Sequence, residues 1–202
     1  SEDFTGHGVG GAENFTTPGD GGIYRSITAG ATWTTIDNGI PVDGGSPSRP
    51  NMGTVRAVTL DPRSCAVPPV SGPCGFGSGP LQTLYVGASG RQNLATGAIL
   101  AARIYKSTNA GISWTASDNG LPVRQDLGPP GAGNYAYQGG IVQIVIDPTT
   151  PTTLYASSFL NWPGDGFGLV EPTVPNGVFK SVDGGANWVH SSVGIPRLRG
   201  AG

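Results

Sequence analysis

No apolar run in this chain approaches the roughly 20 residues that a membrane helix needs, so no transmembrane segment is expected. Charge is scarce. Only 12% of the residues are Asp, Glu, Lys or Arg, the formal net charge is -2, and the 11 cations are scattered along the sequence. A nucleic acid or an anionic membrane is held by a clustered basic patch, so neither is expected as a partner. Histidine is nearly missing: with His7 and His190 alone, Ser/His/Asp catalysis and a histidine metal site both lack their parts. No window shows sustained helical periodicity, and no phosphate-cradling Gly loop precedes a helix. No cofactor and no metal is therefore expected. The chain starts at Ser1 without Met or a charged-then-apolar leader, so a signal peptide would already have been removed. Its two cysteines, Cys65 and Cys74, are close enough in one loop for a short disulfide. The expectation is a disulfide in an extracytoplasmic protein (secreted, periplasmic or at the cell surface), with two free thiols as the alternative.

Glycine and proline are abundant, at 35 and 18 of 202 residues. Short strands joined by Gly/Pro turns are the signature of an all-β fold, and this length is enough for one sizeable core.

The ordering feature is a repeat. Gly22-Ile23-Tyr24-Arg25-Ser26-Ile27-Thr28-Ala29-Gly30-Ala31-Thr32-Trp33 matches Arg103 to Trp114 and Gly177 to Trp188 position by position. Each copy is an apolar-aromatic-cation-Ser run, a polar turn ending in Gly30, Gly111 or Gly185, and a Trp three residues later. That pattern predicts a strand, a tight hairpin and a second strand. Two further segments recur. Thr54 to Pro62 matches Ile141 to Pro148, and Thr83 to Ala88 matches Thr153 to Ser157. Asp37-Asn38-Gly39-Ile40-Pro41, Asp118-Asn119-Gly120-Leu121-Pro122 and Val193-Gly194-Ile195-Pro196 close the copies, because Asn-Gly favours positive φ and Pro cannot continue a ladder.

The unit is thus four strands: an apolar first strand expected to be buried on both faces, a second at Thr83 or Thr153, a third bearing the Ser and a fourth bearing the Trp. The segments Asp43 to Gly53 and Ser89 to Leu100 read as loops. Four-stranded antiparallel sheets in tandem are blades of a β-propeller. The predicted organisation is one incomplete propeller over residues 1–202: a half blade with loops over 1–53, a full blade over 54–140 and another over 141–202.

The Ser-x-Asp-x-Gly-x-x-Trp pattern resembles the Asp-box, or bacterial neuraminidase repeat. That repeat occurs in sialidases, xyloglucanase-type glycoside hydrolases, sortilin-like receptors and a photosystem II assembly factor. The resemblance implies a propeller in which the Asp carboxylate accepts backbone N–H bonds within the turn and the Trp packs beneath it. Asp183 fits this role, Asn109 can act as a neutral acceptor, and Thr28 is the weakest of the three. Ser26, Ser107, Ser181, Trp33, Trp114 and Trp188 are accordingly scaffold residues. A single carboxylate at Asp183-Gly184-Gly185 falls far short of a calcium cage. Two and a half blades cannot close a ring of about four to eight. The chain is expected to need further blades of a longer polypeptide or, alternatively, neighbouring subunits.

Strand direction alternates, so the second-to-third and fourth-to-first connections share one end of the sheets. Asp37, Asp61, Asp118, Asp147 and Asp183 recur by position or motif and read as turn formers. The remaining carboxylates fall in the connections of that shared end, with the unmatched aromatics Tyr135, Tyr137, Phe159, Trp162 and Phe167 in or beside them. Rings beside carboxylates can form a sugar-binding groove; the same rings can instead plug the loops' own small cores. A glycosidase needs two carboxylates roughly 5 to 10 Å apart, and the best pair is Asp165 with Glu171, with Asp126 as a third candidate. Gly87 to Ser107 faintly resembles a xyloglucanase loop that carries a catalytic Asp, yet Ser89 to Ala102 holds no Asp or Glu. A sialidase would need an Arg cluster with a Tyr/Glu pair, for which Arg91, Arg124 and Tyr137 qualify by location only. The first expectation is a non-catalytic binding or structural module that contacts a protein or glycan through these connections. The alternative is a glycoside hydrolase with the rest of its site on further blades.

Overall fold

The computed structural model describes residues 23–40, 42–43, 46–50, 55–66, 73–74, 81–88, 91–92, 99–100, 103–121, 140–159 and 177–195. Every regular element among them is a strand: β1 (Tyr24–Arg25), β2 (Thr34–Thr35), β3 (Val42–Asp43), β4 (Ser46–Pro50), β5 (Val55–Leu60), β6 (Leu84–Ala88), β7 (Arg91–Gln92), β8 (Ile99–Leu100), β9 (Arg103–Ser107), β10 (Thr115–Ala116), β11 (Gly140–Ile146), β12 (Leu154–Phe159), β13 (Gly177–Ser181) and β14 (Val189–His190). Among the described residues no helix is long and apolar enough to cross a membrane.

Strands β5, β6, β9 and β10 form one four-stranded sheet in that order, and β11, β12, β13 and β14 form another. All neighbours are antiparallel. The pair β1–β2 has the register of β9–β10 and β13–β14, with Tyr24, Tyr105 and Phe179 facing Thr35, Ala116 and His190. The chain is a β-propeller segment: half of one blade followed by two whole ones. Both first strands carry the same irregularity, between Val55 and Ala57 in β5 and between Ile141 and Gln143 in β11.

The core lies between blades. Ile23, Ile40, Leu84, Val86, Ala88, Tyr105 and Trp114 fill the joint between the half blade and the middle blade, with Ile36 and Val55 against them. Ala57, Tyr85, Ile104, Leu121, Ile141, Ile144, Leu154, Phe179 and Trp188 fill the next joint. Period-2 alternation explains this division: successive residues of one strand address opposite neighbours, as Ile104 and Tyr105 do.

Two expectations need correction. The first strands are not buried on both faces, since Val58, Leu60, Val142 and Val145 are exposed. The most enclosed strand is β6, buried along its whole length. Strand β5 packs on β11, where the Thr59 hydroxyl donates to the Ile144 carbonyl at 2.7 Å. The half blade, however, sets no first or second strand against β5's other face among the described residues. The segments expected as plain loops also hold strands. β3 pairs with β4, with Asp43 opposite Ser46, and the sequence between them, Gly44-Gly45, is a dipeptide that suits a two-residue hairpin; β7 pairs with β8.

Cys65 and Cys74 form a disulfide with Cα atoms 5.9 Å apart, so the free-thiol alternative does not hold. It closes the connection between β5 and β6.

Candidate functional site

The repeated turn is built around its serine. Ser26, Ser107 and Ser181 Oγ accept the backbone N–H of Gly30, Gly111 and Gly185 at 2.8, 2.9 and 2.9 Å. The residue two positions after each Ser completes the turn. Thr28 Oγ1, Asn109 Oδ1 and Asp183 Oδ1 accept the N–H of Thr32, Ser113 and Asn187 at 2.8, 2.9 and 2.9 Å. A hydroxyl, an amide and a carboxylate thus make one bond, because the geometry asks only for an oxygen acceptor at that place. The third position is left-handed in two copies even as alanine, with φ of 52° at Ala29 and 59° at Ala110; Gly184 takes φ 69° without the Cβ penalty.

Asp183 is the best satisfied of the three. Asn187 donates to it from side chain and backbone and Ser181 from its hydroxyl, and these bonds pull its pKa down to about 2. Asp147 is lowered in the same way by the hydroxyl and backbone of Thr149 and the backbone of Thr150. Asp61 caps its own turn through Arg63 N–H at 2.9 Å. Asp118 closes its turn through its carbonyl, which accepts the Leu121 N–H at 3.0 Å, and its carboxylate pairs with Arg103 at 3.2 Å. These four carboxylates are committed to holding turns and strand ends. Among the described residues no three of His, Cys, Asp and Glu come together to hold a metal.

Each buried Trp works across a joint. The Trp188 indole N–H donates to the Ser117 carbonyl at 2.8 Å and its backbone N–H to the Asn119 carbonyl at 2.8 Å. Trp114 repeats both bonds, to the carbonyls of Ile36 and of Asn38. The rings also lie beneath their own turns, since a Cβ on Gly111 or Gly185 would stand 3.6 or 3.7 Å from the ring that follows it. The cation before each Ser reaches in the opposite direction. Arg25 donates to the Ala110 carbonyl at 2.7 Å and Lys106 to the Gly184 carbonyl at 2.8 Å, where the Tyr85 hydroxyl joins at 2.9 Å. Burial, helped by Asp61 and Asp183, pushes the Tyr85 pKa up to about 12, so that hydroxyl stays a donor at neutral pH. Sequence reasoning left this cation without a role. Its signal was the invariant charge at Arg25, Lys106 and Lys180.

No protein-family model matches the chain, and no curated protein does. Among solved structures it is similar to the GH74 enzyme of Niastella koreensis, at 21% identity and a TM-score of 0.34. The match covers 83% of this chain but 26% of that one, so the chain spans about a quarter of that enzyme's length.

The far end of the sheets, away from the turns, is where sequence reading placed chemistry. Topology puts both extra hairpins there, β3–β4 between β2 and β5 and β7–β8 between β6 and β9. Arg91 opens β7 opposite Leu100, and Phe159 ends β12 opposite Gly140, so the backbone places both at this end. The Arg103–Asp118 pair lies where β9 begins and β10 ends, at the same end. Asp126, Asp165, Glu171, Arg124, Tyr135, Tyr137, Trp162 and Phe167 lie outside the described residues.

Proposed function

We propose that the three turns are Asp-boxes serving as scaffold, and that the chain is an extracytoplasmic binding or structural module within a larger protein or assembly. It contacts a protein or glycan through the connections at the end opposite the turns. The observation that carries this reading is the separation of the two ends. At the turn end the polar groups are consumed in bonds that hold the blades, so their chemistry is spent on shape. At the other end the connections are long and grow hairpins, which is how a rigid β scaffold presents a variable recognition surface. The aromatic residues Tyr135, Tyr137, Phe159, Trp162 and Phe167, with Arg91 and Arg124, are the proposed contact set, as flat stacking rings beside a few charged groups. The Cys65–Cys74 disulfide supports an oxidising compartment.

The test is binding of the 202-residue chain to immobilised β-glucans, sialylated glycans and candidate proteins, with Trp162→Ala and Tyr137→Ala in parallel. Retained binding that both substitutions weaken at least tenfold supports the module. Release of reducing sugar from a β-glucan, abolished by Asp165→Asn or Glu171→Gln, would instead assign a glycoside hydrolase.

A further inference from the structure

The two joints inside the chain are copies of each other, and among the described residues the half blade and the last blade each carry one unmatched half of such a joint. On the half blade, Trp33 is 56% exposed where Trp114 and Trp188 are 2% and 3%, and Tyr24 is 43% exposed where Tyr105 and Phe179 are 2% and 1%. On the last blade, Ile195 is 53% exposed where Ile40 and Leu121 are each 5%.

Both halves are already in their bonded shape. In all three blades the same backbone bond closes the exit turn: Ile40 to Asp37, Leu121 to Asp118 and Ile195 to Ser192, at 3.0, 3.0 and 3.1 Å. A Cβ on Gly39 or Gly120, at φ 89° and 85°, would collide with the Trp carbonyl seated over it, while one on Gly194, at φ 86°, meets nothing within 4 Å. Lys180 lies over the Tyr155 ring at 5.5 Å, as Lys106 lies over Tyr85 at 5.4 Å. The second pair grips the Gly184 carbonyl, and the first is posed in the same way on an open face. At the opposite end a Cβ on Gly30 would meet nothing within 4 Å, whereas one on Gly111 or Gly185 would run into Ile36 or Ser117.

We propose that a second copy of this chain docks head to tail, with the Trp33 and Tyr24 face of one copy seated on the Lys180, Tyr155 and Val193 face of the other. Trp33 donates its indole N–H to the Ser191 carbonyl and its backbone N–H to the Val193 carbonyl. Lys180 and the Tyr155 hydroxyl donate to the Ala29 carbonyl. Each bond has its pattern in the Trp188, Lys106 and Tyr85 bonds of the internal joint. Val193 stands where Asn38 and Asn119 stand, so the side-chain amide bonds that those residues make across their joints have no counterpart here. The contact is heterologous, so copies add in one direction and either close a ring or extend. This deepens the assembly part of the reading above and is independent of what the connections bind.

Sedimentation velocity and tryptophan emission of the 202-residue chain over a range of concentrations test the proposal. Association is expected to grow with concentration and to shift emission to the blue, with the shift missing in Trp33→Ala. Trp33→Ala and Lys180→Met are each expected to weaken self-association at least tenfold, and Tyr155→Phe to weaken it less. All three alter exposed or half-buried side chains, and circular dichroism checks that each variant folds. Mixing Trp33→Ala with Lys180→Met leaves one good head and one good tail, so it should give 1:1 dimers and nothing larger. A wild-type monomer at every concentration overturns the proposal, as that face is then met by something other than a second copy. Association that survives both substitutions, or a mixture that stays monomeric, overturns it as well. Loss of glycan or protein binding alone bears only on the connections.

Discussion

Trp188 and Trp33 end turns that share two bonds, the Gly N–H to the Ser hydroxyl and a second N–H to the residue two places after that Ser, yet one is buried and the other is exposed. The difference shows that the turn is a local device and the joint a separate one. Ser26, Thr28 and Gly30 complete their bonds with no blade seated on Trp33, so the turn needs no neighbour to form. What a neighbour adds is burial of the indole and a carbonyl for its N–H. Free energy therefore concentrates at Trp114 and Trp188 and is nearly missing at Trp33.

Trp188→Ala should break this comparison hardest. Removing a buried aromatic that also satisfies the Ser117 carbonyl is expected to cost about 3–5 kcal/mol, read as a drop in the urea midpoint. Gly120→Ala comes next. It forces a Cβ onto a residue at φ 85° and into the Trp188 carbonyl, for about 2–4 kcal/mol, whereas Gly194→Ala at the open end meets only the strain of its φ, about 1–2 kcal/mol. A comparable loss for both would mean that the joint adds nothing.

Asp183 separates the turns by pH. Its pKa is depressed from an ordinary 3.8 to about 2, so its contribution is fully present above about pH 4 and is lost as pH falls toward 2. Asn109, in the same place in the second turn, has no proton to gain. Asp183→Asn should leave stability near pH 7 little changed and flatten part of the decline between pH 4 and 2, in urea melts at stepped pH; Asp147 keeps the remainder. The smallest effect is expected from Trp33→Ala, within about 0.5 kcal/mol in the monomer, as for other exposed positions.

The blade architecture was legible because its signals are repeated and local: three Ser-to-Trp turns, two Leu/Ile-Asp-Pro ends and a Gly three places before the Trp of each turn, at a left-handed position. The joints were less so. Nothing in the spacing of Arg25, Lys106 and Lys180 says that the cation reaches into the following blade, because that contact spans 78 residues for Lys106 and 85 for Arg25. The partial exposure of β5 and β11 was missed for a similar reason. An apolar β-branched run reads as enclosed on both sides, whereas Val58 and Val145 depend on neighbours that their own strand cannot announce. The β3–β4 hairpin could have been found from Gly44-Gly45. At the far end, Arg91 and Phe159 fall at strand positions, but pairing Asp165 with Glu171 rested on sequence proximity inside one long connection, which is weak grounds for a distance between two carboxylates.

The extra residue near the start of β5 and of β11 carries a consequence for how this scaffold tolerates change. Beyond that slip Ile144 and Ile146 point at the middle blade and Val145 points away, although Ile141, three places before Ile144, also points at the middle blade. Deleting Val142, an exposed side chain at the slip, would leave Ile141, Ile144 and Ile146 in plain alternation on the joint face, whereas deleting Val145, beyond the slip, would turn Ile146 away from it. The slip thus absorbs one surplus residue without changing which side chains reach the joint, so a one-residue deletion is expected to be tolerated there and to undo the blade only further along the strand.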